Sequence, residues 1–149
     1  MRKYMVQTGF TLIEMMVTIA IVGILTTIAM PNYTDYLKRG KAAEATSNLA
    51  NLRVRMEQSY QDNRFYTCPA PLVSGVASKL PGDKYFTTLC ALAAGASPQT
   101  YTLTATGDAA LNMGGFSFTV DQANAKTSTF DGVTPTSNTC WLTNKNGQC

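Results

Sequence analysis

Histidine is absent from all 149 residues, and with it go the commonest general base and the commonest metal ligand. Ser-His-Asp and Cys-His nucleophile chemistry and HExxH metal hydrolysis are excluded on that ground. Charge is sparse too. The chain has 12 basic and 9 acidic side chains, a formal net charge of +3, and no block of like charge, so composition lends little support to a nucleic-acid-binding role. The four cysteines Cys68, Cys90, Cys140 and Cys149 form no CxxC pair, which argues against a zinc knuckle. Proline is scarce early on: of six, only Pro31 precedes Asn63. No catalytic residue, metal or cofactor is expected, and the chain does not read as an enzyme.

What the chain does contain is a long apolar run. Residues 10–30 read FTLIEMMVTIAIVGILTTIAM, close to the roughly 20 residues a helix needs to cross a bilayer. Glu14 is the only charge in it. A charged side chain at the centre of such a span costs about 2.5 to 3.5 kcal/mol, so this carboxylate marks function and needs a partner. Beyond Asn32, Ala42, Ala45, Leu49, Leu52, Met56 and Tyr60 recur three or four residues apart, with charged residues on the other faces. That is an amphipathic helix. No turn cluster separates it from the apolar run, so one helix is predicted over 10–62. Pro31 removes a backbone hydrogen bond and crowds the preceding turn, and Gly23 weakens the same stretch, so a kink is predicted near 27–30.

Past Asn63 the texture changes. Residues 68–98 read as an irregular connection. YTLTA at 101–105 and FSFTV at 116–120 then alternate as half-buried strands do, with glycines between them, and predict a hairpin. Further strands are expected at 126–130 and 140–142, and Phe116, Phe118 and Trp141 are assigned to the core. The fold class is α+β: a long helix whose apolar stripe packs on an antiparallel sheet. An even cysteine count, all after the apolar run, suits an exported and oxidised head. Several pairings are possible; Cys68 with Cys90 and Cys140 with Cys149 is expected because each closes a local loop.

A short basic leader ending in Gly9, then FTLIE, an apolar helix, Pro31, an amphipathic continuation, strands and a C-terminal cysteine loop together resemble a type IV pilin precursor. FTVDQANAKTSTF followed by CW and a final cysteine is similar to minor pilins of the pilus-assembly group. The resemblance implies a leader at 1–9, a membrane and filament-core helix at 10–31 and a periplasmic head at 32–149. It implies that a prepilin peptidase cuts after Gly9, that Phe10 becomes the N-methylated terminus, and that Glu14 is the assembly glutamate. Gly23 and Pro31 would bound the part of the helix that loosens on filament entry, and the cysteines would staple the head. Implied partners are other pilin subunits, the peptidase, the inner membrane and its assembly machinery. The precursor would lie in the inner membrane of a Gram-negative envelope and the mature subunit in an extracellular pilus.

Rival readings exist at each point. An ordinary secretory signal cut after Ala29 competes, but the apolar run exceeds the usual h-region of about 7 to 15 residues and carries a carboxylate. Basic residues flank the span on both sides, Arg2 and Lys3 before it and Lys38, Arg39 and Lys41 after, so charge bias alone does not orient it. Other functions considered are a type II secretion pseudopilin and a pilus-tip module that binds DNA or a surface. Arg53, Arg55, Arg64, Lys79 and Lys84 are the candidate DNA-facing cations.

Overall fold

A computed structural model describes residues 9–134 and 140–147. Its contacts divide the chain into two units, Met1–Leu37 and Lys38–Cys149.

Helix α1 runs Leu12–Asn63, two residues later at its start and one later at its end than predicted. Thr11 caps it: the Glu14 backbone N–H donates to Thr11 Oγ1 at 3.3 Å, and the sequence Thr11-Leu12-Ile13-Glu14 has the spacing of a capping box. In the first unit several threonine hydroxyls are satisfied within the helix itself. Thr18 donates to the Met15 carbonyl at 2.8 Å, Thr26 to Val22 at 2.7 Å and Thr27 to Ile24 at 2.7 Å. Such internal pairing is what a lipid environment demands. The helix is continuous through Gly23 and Pro31; next to the proline, Asn32 Nδ2 donates to the Ile28 carbonyl at 3.1 Å. At the far end Arg64 adopts a φ of 64° and its N–H bonds the Tyr60 carbonyl at 2.8 Å, closing the helix.

The second unit is a sheet against the C-terminal part of α1. Five antiparallel strands lie in sequence order: β1 Ala77–Ser78, β2 Phe86–Leu92, β3 Tyr101–Gly107, β4 Ser117–Asp121 and β5 Lys126–Thr129. Each pairs with the next, as a meander does. Alternation places Phe86, Cys90, Leu103, Ala105, Phe118 and Val120 on the inner face, where they meet Ala42, Ala45, Leu49, Leu52 and Met56 of α1 in one core. The outer face of β3 carries Thr102, Thr104 and Thr106, so YTLTATG is legible as a strand with one wet side. Gly107 is required where it stands, since a Cβ there would lie 2.1 Å from the Met113 carbonyl oxygen.

Two expectations are corrected. Residues 68–98 are not wholly irregular, because β1 and β2 lie within them. FTTLCAL hides its alternation: the inward residues are Phe86, Thr88 and Cys90, while the larger Leu89 and Leu92 are only half-buried, so hydropathy does not separate the faces. Residues 140–142 are not a strand. Leu142 is buried, but its N–H donates to the Ser128 hydroxyl at 2.9 Å instead of joining a ladder. The hairpin of β3 and β4 and the strand at β5 are present as predicted, within a residue or two of the expected bounds. Cys68 is bonded to Cys90, as expected. Cys140 is also disulfide-bonded, and its predicted pairing with Cys149 lies outside the described residues.

Candidate assembly surface and head cleft

The first unit presents an exposed apolar surface. Leu12, Ile13, Ile19, Ile24, Leu25 and Ile28 are all more than 60% exposed, and Phe10 is 82% exposed. By length and composition this helix can cross a membrane. Glu14 lies in the first turn, where the helix dipole favours negative charge, and Gly9 and Phe10 precede the helix. Glu14 follows Phe10 by four positions in the chain.

In the head the candidate cations have different surroundings. The Arg53 Nε is buried and has no hydrogen-bond partner among the described residues. Arg55 donates to the Ala70 carbonyl at 3.3 Å. Lys79 pairs with Asp108 at 3.3 Å, and Arg64 is the residue that ends α1. Near Arg53, the Tyr66 and Tyr101 hydroxyls donate to the two oxygens of Glu57, each at 3.3 Å. Burial, and then the Glu57 carboxylate, hold the Tyr101 phenol far above its ordinary range and raise Tyr66 in the same way. These tyrosines tie the end of α1 to β3 and serve packing.

A different set of residues forms a cleft. Arg39, Ala42 and Ala43 of α1 face Lys126, Phe130 and Trp141 across a space of about 420 Å³. Among the described residues no acidic side chain lines it. Trp141 is half-buried, packed against the core instead of fully inside it as predicted, and its Nε1–H donates to the Thr119 carbonyl of β4 at 2.8 Å. Lys126 Nζ sits 4.9 Å from the centre of that ring, a cation–π distance. Phe116 and Phe118 are core residues as expected. Asp131, with a φ of 51°, pairs with Lys38 at 3.1 Å and Lys145 at 2.8 Å. The Lys145 bond, then that of Lys38, holds the Asp131 carboxyl below its usual range against an opposing effect of burial. Arg39 and Lys126 are missed by sequence reasoning because they lie far apart in the chain and neither belongs to a basic block; the clue would have been that Lys126 opens a strand beside the only tryptophan.

Comparison with known proteins bears on both surfaces. The profile of the family described as "Type IV minor pilin ComP, DNA uptake sequence receptor" matches residues 31–115, and that of the prokaryotic N-terminal methylation motif matches 4–30. A type IV major fimbrial protein FimA of Dichelobacter nodosus is 43% identical over 79 residues, covering 53% of this chain and 49% of that protein. Fimbrial protein EcpC of Eikenella corrodens is 40% identical over 91 residues, covering 60% and 58%. The chain thus spans about half the length of the curated relatives it matches. With the methylation motif over its apolar start and the pilin profile over more than half its length, the chain belongs to the type IV minor pilin family described as ComP.

Proposed function

We propose that this chain is a structural subunit of a type IV pilus, cut between Gly9 and Phe10 by a prepilin peptidase and methylated on the Phe10 nitrogen. Before assembly it is held in the inner membrane with its head in the periplasm. The observation that carries this reading is the uncovered apolar helix that begins just after Phe10 and contains one charge, Glu14, in its first turn. Cleavage frees an α-amino group at Phe10. In a staggered bundle of parallel helices, the amine of a neighbouring copy reaches the Glu14 carboxylate while the apolar faces close around the pair. Such a pair adds little net stability in a low dielectric, but any register that leaves one charge alone is heavily penalised. Glu14 thus sets the axial position of an incoming subunit. Gly23 and Pro31 are the points at which the helix loosens on entry. The fimbrial names of the relatives favour a pilus over a secretion pseudopilus. Mass spectrometry of the exported protein tests the reading: it should begin at N-methylated Phe10, and a mature chain beginning at Met30 would overturn it.

A second role is supported by the family's description as a DNA uptake receptor and by the acid-free cleft flanked by Arg39 and Lys126. In this reading the head contacts DNA through that cleft. Full-length protein in detergent micelles should bind DNA with an affinity that falls steeply with salt, and Lys126→Ala or Arg39→Ala should each weaken binding and flatten the salt dependence by about one phosphate contact. No binding at low salt would remove this role and leave the pilus subunit standing.

A further inference from the structure

We propose that the cleft between α1 and the C-terminal segment receives a single unstacked nucleobase against Trp141, with the flanking phosphates held by Arg39 and Lys126. The inference rests on the DNA-binding reading and deepens it: the DNA that enters this cleft presents a base outside its stack.

The shape of the cleft is the first argument. At about 420 Å³ it falls in the range of roughly 300 to 1,000 Å³ typical of small-molecule sites. It is too roomy for a phosphate alone. Its walls are the second. Ala42 and Ala43 keep the helix side free of bulky side chains, while the half-buried Trp141 supplies aromatic surface opposite, with the buried Phe130 also in the lining. A phosphate would leave those apolar walls unused, and the edge of a stacked base pair would not present a ring face to them. A free base does, because every base has a π-face that aromatic side chains accept.

The third argument is rigidity. The indole is pinned through its Nε1–H to the Thr119 carbonyl of β4, so stacking on it orders no loose side chain. The fourth is charge. Lys126 lies over the ring, Arg39 stands on the other wall, and among the described residues no carboxylate lines the space to repel phosphate. Lys126 moves from the ring to a phosphate as the base arrives and takes its place on the indole face.

Trp141 is the only tryptophan in the chain, so its emission reads the cleft directly. Full-length protein in detergent micelles is titrated with a single-stranded oligonucleotide carrying 2-aminopurine, with the same sequence fully paired, and with inorganic phosphate. The single strand should quench Trp141 and change the 2-aminopurine emission; the paired duplex and phosphate should do neither. Trp141→Phe should retain affinity within about threefold, and Trp141→Ala should lose about tenfold or more. Because removal of the indole also breaks its bond to β4, a second variant guards the result: Ala43→Phe fills the cleft from an exposed helix position and should abolish the 2-aminopurine response with the head still folded. A single strand that binds without changing either emission would overturn the base site and leave salt-dependent DNA binding intact. Equal quenching by the duplex or by phosphate, or an Ala43→Phe protein that responds like wild type, would do the same. If no DNA binds at any salt concentration, the base site and the DNA role fall together.

Discussion

Helix α1 contains two leucine environments. Leu25, in the first unit, is 61% exposed, whereas Leu49, in the second, is 0% exposed. The backbone is the same α-helix at both positions, and the local propensities are similar. The difference lies in what the rest of the chain supplies. At 42–56 the apolar residues form a single stripe, and the strands of the head cover it. At 12–30 nearly every residue is apolar, and the large side chains are exposed. A helix that is apolar all round is made to be buried on every side. In the proposed function its cover would be a bilayer first and other subunits later, so the energetics of this region would belong to assembly, and those of 38–63 to folding.

Substitutions that separate assembly from folding sharpen this contrast. The largest effect is expected at Glu14. Glu14→Ala should be processed, inserted and folded like wild type yet be missing from sheared pili, because one subunit's Phe10 amine would be left buried without its counter-charge, at a cost of about 3 to 5 kcal/mol per contact. Glu14→Gln should fail nearly as badly. Recovery of the alanine variant in pili at the wild-type level would break the assignment.

Leu49→Ala should destabilise the head by about 3 to 5 kcal/mol, since it removes a fully buried side chain from the centre of the core. Leu25→Ala should leave the head's urea midpoint unchanged. If both leucines lowered the midpoint alike, the division into an assembly region and a folding region would be wrong.

The staple comes next. Cys68 and Cys90 are 22 residues apart, and Cys68→Ser with Cys90→Ser should cost about 3 kcal/mol through the freed unfolded chain. The loss should be seen in the head's denaturation curve, with no effect on membrane insertion. The smallest effect is at Asp131. Its pKa is lowered in the folded state, so its stabilising contribution is complete above the ordinary carboxylate range and fades as pH falls through the lowered folded value. Asp131→Asn should therefore cost about 1 kcal/mol at neutral pH and nothing in strong acid, where the carboxylate is protonated in both states. A variant equally destabilised at both pH values would show that the two lysine contacts are not the cause.

Legibility in the sequence followed the range of the interactions. The stripe Ala42, Ala45, Leu49, Leu52, Met56 was readable because a helix imposes its period on neighbours in the chain, and all five are buried. β3 and β4 were readable because threonines alternate with larger apolar residues. β2 was not, since its inner face uses a threonine and a cysteine where hydropathy expects larger side chains. Trp141 was assigned to the core as large aromatic residues usually are, and it packs against the core half-buried, its N–H partnered by a strand carbonyl.

By itself, the sequence determined the long helix, the single carboxylate near its start, the absence of histidine chemistry and the split between an uncovered apolar half and a striped half. Each of these is set by covalent order or by helical and strand period, which act within a few residues. Only the tertiary structure decided that β2 enters the sheet and that Lys38 and Lys145 converge on Asp131. It also brought Arg39, Lys126 and Trp141 to one cleft. Those contacts join residues remote in the chain, and their proximity follows from strand register and from the packing of the sheet on α1, neither of which leaves a periodic mark on the residues involved.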